Sequence, residues 1–335
     1  MEIGQRQLNR ALLARQLLLE RASLPLPTAL ERLAGIQAQY APSMYVGLWS
    51  RLQGFERDDL TRALEDRTVV QGTLMRVTIH LVSPADYWPF SLATRAVRRA
   101  LWLRNRPQPD DAAMHAAARK LASALPLRRT DAEALIGKEE ARAIHNWIDL
   151  VRAPPSGTWE RRRADLYASA RDWLGDPPPE DEPAAMEHLV RRYLAAFGPA
   201  TRQDVQRFTG LSLTTLKPVL ERIDPVRHDK DLLDLPGAPL PDPDTPAPPR
   251  YLPTFDATLL VHARRTQILP EAYRERIFNT RTPHSKPTFL LDGAVAGTWS
   301  YEDGRVRRDE FERLDAADRR ALDEEGDRLA TLLAP

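Results

Sequence analysis

Residues 186–223, MEHLVRRYLAAFGPATRQDVQRFTGLSLTTLKPVLERI, decide the fold. Leu189, Val190, Tyr193, Leu194 and Phe197 recur at helical spacing and make one apolar stripe. GPAT (198–201) ends that helix and caps a second, RQDVQRFTG, which stops at Gly210. LSLTTLKPVLERI supplies a third helix, and VRHDKDLLDL (226–235) reads as a short two-strand wing. Three short helices followed by a wing is the winged helix-turn-helix plan.

Working outward, the plan recurs loosely. Residues 111–153 read as helix, turn, helix, helix, with Thr130 and Glu133 at capping-box spacing. PPSGTWERRRADLY (154–167) adds a turn and wing strands. The first 83 residues predict helices over about 6–21, 27–36, 43–53 and 58–67, then strands in VVQGTLMRVTIHLVS (69–83), with a further helix over 85–105. This gives three winged-helix units, at 1–108, 109–176 and 184–240, without a literal repeat. Proline clusters in DPPPEDEP (176–183) and DLPGAPLPDPDTPAPP (234–249), which read as linkers or long surface loops. The remainder, 249–335, alternates apolar and polar residues. Asp292-Gly293 marks a tight hairpin, residues 302–304 a second turn, and a helix over about 314–333 closes the chain. The fold class is mainly α with small β-hairpins, an α+β protein ending in a β-rich segment.

A chain of 335 residues suits two or three compact units. No apolar run approaches the ~18 residues of a membrane span. The N-terminus carries charges inside its apolar run and reads as no signal peptide. The absence of cysteine excludes disulfides and thiolate sites. The expected location is cytoplasmic and nucleoid-associated. Net charge is only +1, but the signs are segregated. Arg95, Arg98, Arg99, Arg104 and Arg106 gather in 94–106, and Arg161, Arg162 and Arg163 in 159–171, while acids concentrate in 175–183 and 313–327. Such segregation suits a basic face for a polyanion or ordinary solvated helix faces.

Seven scattered histidines include no pair at i, i+4 and no HExxH. GxxxxGK[ST], GxGxxG after a strand and GxSxG are also missing, so metalloprotease, nucleotide-hydrolysing, dinucleotide and serine-hydrolase chemistry lose their usual support. What remains is GIQAQY (35–40), with Gln37 and Gln39 flanking Ala38. A carboxamide is no general base, but it carries an acceptor oxygen and two donors. Two of them can hold a water against an electrophilic carbon when the leaving group already departs readily. An N7-alkylated purine is such a group, because its cationic base leaves without acid assistance and positioning supplies most of the catalysis. The alternative is that the glutamines bond the free carbonyls of a helix end.

LAGIQAQYAPSMYVGLWSRL followed by TLMRVTIHLVSPADYW resembles the AlkZ-like winged-helix DNA glycosylases, which include the YcaQ-type enzymes. APPSGTWERR (153–162), YLPTFDATLLVHARRTQILP and PTFLLDGAVAGTW resemble further parts of that family. The resemblance implies a C-shaped protein of three tandem winged helices around a basic cleft for duplex DNA. It implies a signature of Gln, apolar residue, then Gln or Asp, which falls here on Gln37, Ala38 and Gln39. It also implies excision of bulky or crosslinked N7-alkylguanine, and a β-hairpin in the cleft, for which 258–268 and 288–299 are the candidates. A crosslinked base cannot swing fully out of the duplex, so an open cleft suits it better than a tight pocket.

His80 reads either as a buried, satisfied histidine or as a group near Gln37 and Gln39 that supports them from behind or contacts the DNA backbone. Strand alternation would put Arg76, Thr78 and His80 on one face, with Arg76 on phosphate. Arg161, Arg162, Arg264 and Arg265 are candidate phosphate contacts. Trp159 and Trp299 read as core, and Asp256 as a turn cap or a substrate-side carboxylate. The expected protein is a monofunctional glycosylase that uses water, leaves an abasic site, and needs no metal, cofactor, membrane or obligate protein partner. It would act as a monomer on duplex DNA carrying alkylated guanine. The competing reading is a non-catalytic DNA-binding regulator with 212–222 as recognition helix. That helix offers only Lys217 and Arg222 as basic residues.

Overall fold

The computed structural model describes residues 3–105, 110–228, 231–260, 266–278 and 285–334. Five helices and three strands open the chain: α1 (Gln5–Arg15), α2 (Leu26–Leu33), β1 (Ile36–Gln37), α3 (Ala41–Trp49), α4 (Arg57–Glu65), β2 (Val70–Thr73), β3 (Ile79–Val82) and α5 (Pro84–Arg104). The next stretch holds α6 (Asp111–Ala122), β4 (Leu127–Arg128), α7 (Arg129–Ile136), α8 (Lys138–Ala143), β5 (Leu150–Arg152), β6 (Leu166–Ser169) and α9 (Ala170–Leu174). Then come α10 (Glu182–Phe197), α11 (Arg202–Thr209), α12 (Leu213–Ile223), β7 (Val226–His228) and β8 (Leu232–Asp234). The C-terminal part holds β9 (Arg250–Leu252), α13 (Ala257–Leu260), α14 (Arg274–Ile277), β10 (Thr288–Leu291), β11 (Ala294–Glu302), β12 (Arg305–Glu310) and α15 (Ala316–Leu333).

The stretch 186–223 folds as its pattern dictates. Leu189, Val190, Tyr193, Leu194 and Phe197 of α10 are all buried, and Tyr193, Phe197 and Phe208 form an aromatic cluster with centroids 4.9–5.4 Å apart. Thr201 and Asp204 make a reciprocal capping box at the start of α11. Gly210 ends that helix in the left-handed conformation. β7 and β8 form the wing.

The first two stretches share one six-stranded sheet in the order β1-β3-β2-β5-β6-β4. Gln71 pairs with Arg152 and Gly72 with Val151, so the sheet crosses the 108/109 boundary. The tail forms a second sheet, β12-β11-β10-β9, and the terminal helix lies at 316–333, as the tail's pattern predicts. The loop 235–249 is a strap rather than a free linker: Pro239 O accepts from Arg15, Pro243 O from Arg6 and Thr245 O from Arg10, all on α1.

Several expectations fail for local reasons. The helix expected over 6–21 stops at Arg15, because Leu17 turns back at φ 56° to send Leu17 and Leu18 into the core. The helix expected to include Ile36 stops at Leu33, and Ile36 lies in β1. Thr130 makes no capping box, since α7 starts one residue earlier and Glu133 instead pairs with Arg129 at 2.8 Å. Residues 257–260 are helical, so the strand expected over 258–268 is absent where the structure describes it. Asp292-Gly293 does turn the β10–β11 hairpin. That turn is filled from within the protein: Asp292 takes ion pairs from Arg6 and Arg10, and a Cβ on Gly293 would stand 2.5 Å from Asn9 Oδ1.

Candidate functional site

α2 ends through Ala34 and Gly35, both left-handed. At Gly35 (φ 79°) a Cβ would lie 2.8 Å from Val82 Cγ1 and 3.1 Å from Leu81 O, so only glycine lets the chain pass this close to β3. The turn delivers the backbone to the sheet edge, where Ile36 pairs with Leu81 and Gln37 with His80. Ala38 N continues the ladder to Ile79 O at 2.7 Å. β1 ends at Gln37; Ala38 packs into the core, and Gln39 lies in the bend that leads to α3. Against the helix-capping alternative, the amide oxygens accept from Arg76 and Ile79 N, and among the described residues neither glutamine bonds a carbonyl of α2.

The two amides differ in setting. Gln37 is buried and Gln39 is exposed. Gln39 Oε1 accepts from Ile79 N at 3.2 Å. Gln37 Oε1 accepts from Arg76 Nη2 at 3.5 Å. Each oxygen is anchored by one protein donor and retains a second lone pair.

Arg76 is not on a strand, contrary to the alternation expected for it. It sits with Val77 in the tight turn between β2 and β3, at φ 54° and 59°. Left-handed geometry is rare for an arginine and rarer for a β-branched valine, so this turn holds strain. The turn aims the guanidinium inward rather than at a phosphate. Nη1 donates to Phe208 O at 2.7 Å, Nη2 lies 3.3 Å from His80 Nε2, and the group stacks 5.1 Å from the Phe208 ring centroid. Among the described residues it has no carboxylate partner, and burial lowers its pKa to about 10.

His80 is buried and hydrogen-bonded, and it stands directly opposite Gln37. Burial, then the Arg76 charge, pulls its pKa down to about 3, so the ring is neutral. Nδ1–H donates to Thr78 O at 3.0 Å, which leaves Nε2 as the acceptor for Arg76. Thr78 supplies that carbonyl and closes the turn by donating its hydroxyl to Met75 O.

Arg161 and Arg162 are exposed. With Arg128 and Arg163 they line an open cavity of about 200 Å³. Arg162 Nη1 donates to the hydroxyl of Tyr40 at 3.2 Å, which ties this basic loop to the residue after Gln39. Arg264 and Arg265 lie outside the described residues. In the 94–106 cluster three arginines are engaged internally: Arg95 pairs with Asp149 and Glu180, buried Arg98 donates to Thr73 O, and Arg99 donates to Asn146 O; Arg104 is exposed, and Arg106 lies outside the described residues. Trp159 and Trp299 pack in the interior against Tyr45 and Tyr251. Asp256 caps its turn through Thr258 and also makes a buried ion pair with Arg51, a partner that sequence spacing does not reveal. Arg222 of α12 is engaged by Glu187 and Pro183 O, which leaves the presumed recognition helix poor in free cations.

The sequence matches the family described as DNA glycosylase AlkZ-like over residues 30–332. A curated relative, an interstrand DNA cross-link repair glycosylase of Streptomyces sahachiroi, is 24% identical over 243 residues, or 66% of this chain. The matched part spans 64% of that relative's length. The solved structure of Streptomyces sahachiroi DNA glycosylase AlkZ has the same fold, with a TM-score of 0.80 at 20% identity, covering 99% of this chain and 97% of that one.

Proposed function

The chain belongs to the AlkZ-like DNA glycosylase family, and from that premise we propose that it hydrolyses the N-glycosidic bond of N7-alkylated guanine in duplex DNA. Gln37 and Gln39 hold the attacking water, and the product is an abasic site. One observation carries the reading: two amides two residues apart, each anchored by a protein donor, lie beside Tyr40, which a hydrogen bond from Arg162 joins to a loop of exposed arginines.

The chemistry follows from the leaving group. N7 alkylation makes the purine cationic, so the C1′–N9 bond breaks with little help and the sugar approaches an oxocarbenium ion. The protein then has to place a water at C1′. Gln37 can accept one of its protons through the lone pair its anchor leaves free, and Gln39 can donate an amide N–H to its oxygen, which leaves one proton and one lone pair unengaged. His80 takes no part as acid or base near neutral pH, since its ring is held neutral. Arg161 and Arg162 supply sequence-independent phosphate contacts.

Bulky and crosslinked lesions belong to the same reading, as the cross-link repair glycosylase among its relatives suggests. The reaction calls for no metal or cofactor, and one copy of the chain suffices. The test is duplex DNA holding N7-methylguanine, incubated with the protein and then with alkali. Strand breaks that vanish in Gln37→Ala and Gln39→Ala support the proposal. An unbroken duplex with every N7-alkyl purine overturns it.

A further inference from the structure

Behind Gln37 lies a cavity with about 10 Å³ of free space, room for one water. Its lining includes Gln37, Ser43, Arg51 and Asp256. Arg51 and Asp256 form an ion pair at 3.0 Å, each side chain 3% exposed. A pair this deep adds little net stability, because desolvation offsets the attraction, so its presence beside Gln37 asks for another reason.

The hydrogen bonds of Asp256 are lopsided. Oδ1 accepts all of them: Arg51 Nη2 at 3.0 Å, Thr258 N at 3.0 Å and Thr258 Oγ1 at 2.8 Å. Among the described residues Oδ2 accepts none. Two other groups of the same lining, Ser43 Oγ and Arg51 Nε, are buried without a partner. An acceptor, a hydroxyl and a donor left open around a water-sized space describe a hydrated site.

Proton balance supplies the reason. When water attacks C1′ and the C1′–N9 bond breaks, the bonding electrons neutralise the cationic purine, which leaves without a proton. The attacking water must lose one, and neither glutamine can keep it. We propose that Asp256 receives it: the attacking water passes a proton to the cavity water, which passes one of its own to Asp256 Oδ2. The carboxylic acid then releases it to solvent. Asp256 is thus a positioning residue that acts through water, and this rests on the glycosylase reading above.

The test is single-turnover excision of N7-methylguanine by wild type and by Asp256→Asn, Asp256→Glu, Gln37→Ala and Gln39→Ala, with DNA affinity measured alongside. The expected result is a fall of about 10²-fold in the saturating rate of Asp256→Asn at unchanged affinity. Asp256→Glu should recover most of that loss. An Asp256→Asn rate equal to wild type, with both glutamine variants dead, overturns this inference alone. A wild type that excises nothing overturns the glycosylase reading instead. Should Asp256→Asn fail to fold, the wild-type rate in mixtures of light and heavy water decides. A curved dependence marks two protons moving together and supports the relay, and a linear or absent one overturns it.

Discussion

Replacing Arg76 with methionine separates stability from activity. Lowering the guanidinium pKa from its ordinary value to about 10 corresponds to a penalty of about 3 kcal/mol for keeping the charge in the folded protein. Arg76→Met removes that penalty. It also strips a donor from Phe208 O and from His80 Nε2, at about 1–3 kcal/mol each, and a stacking contact with Phe208 worth about 1 kcal/mol. These terms largely offset, so the expected net loss is about 0–4 kcal/mol, a shift of a few degrees in thermal midpoint. Gln37 loses the donor that fixes its carbonyl, and misplacement of a positioning group by about 1 Å costs about 10²-fold in rate. Thermal unfolding and single-turnover excision on one preparation check both halves. An Arg76→Met protein with the wild-type rate would refute the orienting role. A loss above about 4 kcal/mol would show that the opposing terms do not balance as reasoned.

Acid should destabilise the fold through its buried imidazoles. His80 titrates near 3 in the folded chain against 6.5 in the unfolded one, so below pH 6.5 only the unfolded state binds this proton and stability falls as pH drops, by up to about 1.4 kcal/mol per pH unit. His145, pushed well below its ordinary value by burial, acts in the same direction. Urea midpoints at pH 7 and pH 5 should fall less in His80→Gln than in wild type. Arg15→Met strands Asp234, its partner at 2.7 and 2.8 Å in the interior, and should cost about 3–5 kcal/mol in denaturant unfolding, partly regained by adding Asp234→Asn. The double variant Arg161→Ala/Arg162→Ala should weaken DNA binding alike on every sequence and flatten the log Kd against log salt plot by about 2. A loss confined to one sequence would point to base reading instead.

The third helical unit was legible because its signals are local: an apolar stripe, a Thr201 cap and a stopping Gly210 within 38 residues. The amide pair was legible as two like residues flanking Ala38, and the resemblance gave the pair its meaning. Its surroundings were not. Gly35 cuts a helix whose apolar spacing continues through Ile36. Arg76 and Val77 adopt a left-handed turn that their side chains disfavour locally, with Arg76 held by a contact to Phe208 O, 132 positions away. The Arg51–Asp256 pair spans 205 positions and leaves no periodic trace. Arg95 and Arg99 looked like part of a ligand face because their partners Asp149, Glu180 and Asn146 lie far along the chain.

The most direct measurement compares single-turnover excision of a cationic N7-alkylguanine with that of an uncharged purine lesion, hypoxanthine, in the same duplex, by wild type, Gln37→Ala and Gln39→Ala. If the amides only steer water toward a base already poised to leave, wild type releases the cationic base and leaves hypoxanthine in place, and each glutamine variant loses the cationic activity. Release of both bases at similar rates, or full release by the glutamine variants, would contradict the account.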